Sequence, residues 1–320
     1  MRMSLSNILR VVFTIILTVL GILFFRSTSH EVRSGYDILK QANGWYVIGC
    51  AILTIALILS QAYAFCLCYN SIGKEVSLTK CISLFLKRFF LSPFIPGGFS
   101  VAQYTLNQDL EEYNITKSEN AFVSTSFILG GQFSYVLILV PTFLITIYNG
   151  TIQDSSQLYN GLIIFAVAVF ILCLVLYLFR RELLSKLRVW LHPHVGSFNI
   201  RPIIEAVAFS LMADIFGILT LWTALRAIGV DGNLVTASMG YIITIFIITL
   251  SPLFQGLVVV EGALVFTLKA LGVDESQAIA GALVFRSFQL WMPLILGGIV
   301  YIVPIMLRWL KKGHAHLTQS

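Results

Sequence analysis

Two long apolar stretches of this chain are each interrupted at their centre by proline and glycine, and that interruption narrows the available folds more than any other feature. One stretch covers residues 81–106 and breaks at Ser92-Pro-Phe-Ile-Pro-Gly-Gly98. The other covers 234–271 and breaks at Ser251-Pro-Leu-Phe-Gln-Gly256. Proline removes a backbone donor and clashes with the preceding turn, and glycine loosens a helix. Each stretch therefore reads as two half-helices joined by an irregular link. At membrane depth such a link is tolerated only where protein buries it or where it lines a wet cavity.

A membrane setting follows from the remaining runs. A helix crosses the hydrocarbon core with about 20 mostly apolar residues, and six runs meet that need: 8–25, 45–69, 120–149, 160–179, 202–228 and 277–307. Only 11% of the chain is charged, and 58% is hydrophobic, whereas soluble domains carry about 25% charged residues. This excludes a soluble enzyme and a disordered chain. The net charge of +6 does not indicate nucleic acid, because the basic residues sit at the ends of apolar runs, where membrane proteins hold them. The first run continues into Arg26-Ser-Thr-Ser-His30 without a small-residue cleavage site, so it is expected to remain as a span.

Cys50, Cys66, Cys68, Cys81 and Cys173 lie mostly in apolar runs and read as buried thiols, with neither disulfide nor zinc spacing. His192 and His194 flank one proline in a basic loop. No metal, nucleotide or other cofactor motif occurs.

The breaks resemble each other. Leu91-Ser-Pro-Phe-Ile-Pro-Gly97 and Leu250-Ser-Pro-Leu-Phe-Gln-Gly256 agree at four of seven positions, at an offset of 159. The same offset carries 45–69 onto 204–228 and 120–149 onto 279–308. The whole chain, 1–320, then reads as one transmembrane domain without a soluble catalytic part. It contains two copies of a unit, 8–149 and 160–308. The expected fold is an all-α polytopic membrane protein with about six full spans and two re-entrant broken hairpins. Three spans per unit invert the second copy relative to the first, an arrangement that recurs in transporters. If both termini are cytoplasmic, thirteen Lys and Arg face the cytoplasm against five on the other side (Arg26, Arg33, Lys40, Arg226, Lys269), which satisfies the positive-inside bias. The rival topology makes each half-helix a full crossing.

Ionisable residues within spans mark candidate function. Arg286 lies nine residues into 277–307 and Asp214 twelve residues into 202–228, about 13 and 18 Å from their respective faces. Glu261 follows Gly256 by five residues, about 7 Å from the hairpin tip. All three share one depth band. They read either as a buried ion pair that locks helices or as the polar lining of a headgroup path. Lys87 and Arg88 lie about 9 Å into the first hairpin and either snorkel to the inner headgroup layer or form a vestibule for a lipid phosphate. Gly97, Gly98 and Gly256 begin the second half-helices, whose free N–H groups suit an anion. A plain tight turn would need the same glycines. The acidic run Asp109, Glu111, Glu112 to Glu119 reads as a solvated loop.

Together these residues resemble a known family. Pro252, Gly256-Leu-Val-Val-Val-Glu261-Gly-Ala-Leu264, Leu271-Gly-Val273, Ala280, Arg286 and Trp291-x-Pro293 are similar to the transmembrane region of lysylphosphatidylglycerol synthases, and so is Pro93 with Pro96-Gly-Gly98. That region is the flippase domain of the multiple peptide resistance factor. The resemblance implies lipid movement between leaflets of the inner membrane, most familiarly of aminoacylated phosphatidylglycerol, and carries over Pro96, Gly97, Gly256, Glu261 and Arg286. The chain departs from the pattern at Phe99-Ser-Val-Ala-Gln103, where an acidic residue is common, and at Gln255, where proline is common.

The leading expectation is a flippase, not an enzyme, because the family's aminoacyl transfer resides in a soluble domain and this chain ends soon after Leu310. Its headgroup path would run past Lys87, Arg88, Pro96, Gly97, Gly98, Asp214, Gly256, Glu261 and Arg286. Its partner would be a membrane phospholipid or polyprenyl lipid. Two other classes stay open: a transferase or accessory protein acting on polyprenyl-phosphate-linked glycans, with Asp109, Glu111 and Glu112 as its crowded carboxylates, and a homo-oligomeric or cell-envelope assembly protein.

Overall fold

The computed structural model of the chain describes residues 40–92, 109–148, 198–250 and 259–317. The expected spans 8–25 and 160–179, both proline-glycine links, and His192 and His194 lie outside the described residues. Among the described residues eight α-helices run in chain order: α1 Gly44–Asn70, α2 Leu78–Leu91, α3 Lys117–Tyr148, α4 Arg201–Ala227, α5 Leu234–Leu250, α6 Val259–Ala270, α7 Glu275–Arg286 and α8 Met292–Leu317. No strand occurs among the described residues. Four helical stretches there are long and apolar enough to cross a membrane: α1, α3, α4 and the run Glu275–Pro304. They coincide with the expected spans 45–69, 120–149, 202–228 and 277–307.

Helix ends follow local chemistry. Asn43, Ser77 and Asp274 cap α1, α2 and α7 by accepting bonds from Trp45, Lys80 and Ser276 amides. At the start of α3, Thr116 and Glu119 form a reciprocal capping box: the Thr116 amide donates to Glu119 Oε2 at 2.7 Å and the Glu119 amide to Thr116 Oγ1 at 3.2 Å. Pro202 occupies the first turn of α4, where its missing donor costs nothing. α4 and α6 end alike. Gly229 (φ 80°) and Gly272 (φ 87°) take the left-handed conformation, and the amides of Val230 and Val273 donate back to Leu225 and Leu268.

α1 and α4 lie antiparallel along their length. The Asn43 amide donates to the Ala227 carbonyl at one end, and the Asn199 amide to the Ser71 carbonyl at the other, both at 2.8 Å. Between them Tyr63 and Phe209 stack edge to face. The loops 71–77, 109–116 and 198–200 gather at one end of the bundle, and 228–233 and 271–274 at the other.

α5 and α6 lie side by side, not end to end. A side chain at Gly240 would meet Leu221, Leu264 and Leu268 at 2.8, 3.0 and 3.6 Å. α5 thus leaves the 228–233 end of the bundle and α6 returns to it. α2 packs against the last part of α1: Cys81, Leu84 and Phe85 share a buried cluster with Phe65 and Cys66, and Arg88 lies over the Phe65 ring.

α7 and α8 form one rod with a π turn, Ser287–Trp291, between them. The Met292 amide donates to Ser287, five residues back. Pro293 follows at once and has no amide proton to offer, so the wider turn absorbs a bond that α geometry would leave unmade. Further along, Gly297 lets the rod touch α2: a Cβ there would sit 2.2 Å from the Leu86 carbonyl oxygen.

The described core has two main parts. One joins the end of α1 to α2, Leu110, Ile115 and the start of α3; the other joins α4 to α5, α6 and α7. Outside them run apolar faces at helical spacing, Trp45, Ile48, Ile52, Ile55, Leu59 and Tyr63 on α1, and Leu129, Phe133, Leu137, Leu144 and Tyr148 on α3. Faces of this kind suit hydrocarbon and would be costly in water. The four described cysteines are buried free thiols.

Candidate functional site

Arg286 ends α7 and points at α6. Its Nε donates to Glu261 Oε1 at 2.9 Å, and its Nη1 lies 3.4 Å from Gln289 Oε1 in the π turn. The guanidinium side chain is 3% exposed and the Glu261 side chain 17%. Nη2 is buried and makes no hydrogen bond among the described residues. The fold builds this site simply: α6 starts just past the proline-glycine link, so Glu261 falls in its first turn, where a carboxylate meets the positive end of the helix dipole.

Asp214, expected in the same band, does not join that pair. It sits midway along α4, 8% exposed. Ser134 of α3 lies 2.7 Å from its Oδ2, and the Tyr241 hydroxyl of α5 donates to its Oδ1 at 3.0 Å. Nearby, the Tyr135 hydroxyl donates to the Ile242 carbonyl at 2.9 Å. Asp214 therefore joins three helices through neutral hydroxyls. Gly217, one turn along α4, leaves the space for the Tyr241 ring, whose Cε2 would lie 2.2 Å from an added Cβ.

Lys87 and Arg88 point apart. Lys87 Nζ reaches both oxygens of Asp109 at 3.0 Å. Arg88 is 1% exposed, with its guanidinium carbon 4.7, 5.3 and 5.5 Å from the rings of Phe127, Phe85 and Phe65. In this conformation it lies inside the core rather than at a water-facing mouth. The acidic segment is held to basic partners: Glu112 pairs with Lys80, and Glu119 with Lys74. Pro96, Gly97, Gly98 and Gly256 lie outside the described residues. Among those described, no group of three His, Cys, Asp or Glu is placed to hold a metal ion.

Sequence reasoning missed Ser134, Tyr241 and Gln289. Each is neutral and carries no motif; only a depth argument along α3 and α5 could have placed the first two beside Asp214.

A helical bundle with lipid-compatible faces and buried ionisable groups at mid-span is a polytopic, all-helical membrane protein. The chain belongs to the family described as the lysylphosphatidylglycerol synthase TM region, which it matches over residues 7–297. No match was found among curated proteins.

Proposed function

We propose that this protein is a lipid flippase of the cell inner membrane that moves an anionic or aminoacylated phospholipid between leaflets. The observation that carries the reading is Arg286, a buried cation at the end of α7, paired with Glu261 through one edge and holding Nη2 without a hydrogen bond among the described residues. A half-satisfied guanidinium is costly inside a membrane. A phosphate oxygen would complete it with a charge-assisted bond. Membership of the lysylphosphatidylglycerol synthase TM family supports a lipid as the source of that phosphate.

The architecture in this reading is an inverted repeat with both termini cytoplasmic and two re-entrant hairpins. The antiparallel packing of α1 on α4, which the offset of 159 makes equivalent, supports the inversion. The return of α6 to the end that α5 leaves supports a hairpin. The headgroup would pass Glu261 and Arg286 while the tails stay in lipid. The protein moves its substrate without covalent change to it. The lysine partners of Asp109 and Glu112 favour this reading over a transferase built on those carboxylates.

The test is reconstitution in liposomes with head-labelled phosphatidylglycerol, lysylphosphatidylglycerol or polyprenyl phosphate. The parent should accelerate transfer of at least one of these. Arg286→Ala and Glu261→Ala should slow it while retaining a cooperative melt. A parent that moves none of the three, or folded variants as fast as the parent, would overturn the proposal.

A further inference from the structure

We infer that Asp214 is a reversible proton-binding site at the junction of α3, α4 and α5. The argument is a count of hydroxyl protons. Ser134 Oγ lies 2.9 Å from the Gly131 carbonyl oxygen and 2.7 Å from Asp214 Oδ2. A serine hydroxyl has one proton and cannot donate to both. If it donates to Gly131, the short contact with Oδ2 is a hydrogen bond only when Asp214 carries a proton and donates it to Ser134. If Asp214 is ionised, Ser134 turns its proton onto Oδ2, and the Gly131 carbonyl keeps its helical partner. Tyr241 donates to Oδ1 in either state. The same three side chains therefore satisfy both protonation states, and the switch needs only a hydroxyl rotation and the passage of one proton between Oδ2 and solvent.

Among the described residues this carboxyl has no fixed counter-charge. Asp214 makes no ion pair among the described residues. The described groups that face it are Ser134 and Tyr135 from α3 and Tyr241 from α5. α1, which packs along α4, has no Lys, Arg, Asp or Glu anywhere in Gly44–Asn70. The buried cation of α7, Arg286, is engaged by Glu261. A carboxylate held at mid-span by neutral donors alone is costly to ionise, and a site bonded equally well with and without a proton is suited to carry one. Coupling of that proton to lipid movement rests on the flippase reading; the proton site itself does not.

Infrared difference spectroscopy of the full chain in phosphatidylglycerol–phosphatidylethanolamine vesicles tests the site directly. Between about pH 9 and about pH 5, a range that covers documented buried carboxyls, the parent should gain the carbonyl band of a protonated carboxyl. Asp214→Asn should lack that band, and Ser134→Ala should shift its frequency. A parent with no such band, a band that does not change over this range, or a band insensitive to Ser134→Ala would overturn the inference. In the same vesicles, transfer of labelled phosphatidylglycerol should vary with pH in the parent and not in Asp214→Asn. If Asp214→Asn keeps the parent's pH dependence, the coupling is wrong. If the band titrates as expected but no lipid moves, the proton site stands and the flippase reading falls.

Discussion

Arg286 and Glu261 meet at 2.9 Å across the junction of α6 and α7, and the pair is buried chiefly on the arginine side. Removing one member of such a pair strands the other. Arg286→Ala and Glu261→Ala should each cost up to about 3 kcal/mol, read as a lower melting temperature in detergent. Arg286→Gln combined with Glu261→Gln removes both charges and should recover most of the stability. Transport should stay slow in the double variant. Recovery of both would make the pair a mere lock between helices.

Gly297 marks a backbone contact between α8 and α2. Alanine there would place a methyl 2.2 Å from the Leu86 carbonyl oxygen and 3.0 Å from Phe90 Cβ, and carbonyl backbone does not yield as a side chain does. We expect Gly297→Ala to destabilise by about 1–3 kcal/mol. Gly131→Ala, with nothing within 4 Å of the new methyl, should melt at or above the parent, because alanine favours a helix interior by up to about 1 kcal/mol. Equal melting temperatures for the two would refute this packing.

Gly217 and Tyr241 are coupled through space. Gly217→Ala should push the Tyr241 ring from its seat and break its bond to Asp214. Tyr241→Phe removes that bond alone, at about 1–2 kcal/mol. In the Gly217→Ala background the cost of Tyr241→Phe should shrink, because the bond is already lost. A double-mutant cycle measures the difference; strict additivity would contradict the arrangement.

Arg88 should tolerate lysine poorly. Three phenylalanine rings surround its guanidinium, and a desolvated contact of this kind is worth up to about 2 kcal/mol. A lysine ammonium lacks the flat faces that stack on rings. Arg88→Lys should therefore lower the melting temperature, whereas Lys87→Arg, facing Asp109 at the bundle surface, should change it little. Equal tolerance at the two positions would place Arg88 elsewhere.

Much of this was legible in the sequence because hydrocarbon imposes length. The runs 45–69, 120–149 and 202–228 became helices within a few residues of those limits, and 277–307 lies within the rod of α7 and α8. Glu261 and Arg286 were legible as one depth band because the start of α6 is set by Gly256 and the following apolar run. Asp214, expected at the same depth, does not join the pair, since depth leaves the facing of a helix undetermined. Its partners, 80 and 27 residues away, are neutral and carry no charge pattern to find them by. Arg88 was read for the membrane edge because a lone cation favours water; its rings come from α1, α2 and α3, and only their convergence shows that it is enclosed. The π turn left no apolar signature, although Pro293 was its local cause.

Between Arg286 and Gly297 the rod advances eleven residues, about 16 Å, and the π turn sets the rotational phase between those two points. Shortening Ser287–Trp291 by one residue would swing Gly297 about 100° off Leu86 while Arg286 stayed on Glu261. The two ends are thus keyed to each other like teeth on one shaft: with Arg286 seated on Glu261, the π turn fixes which face of α8 meets α2.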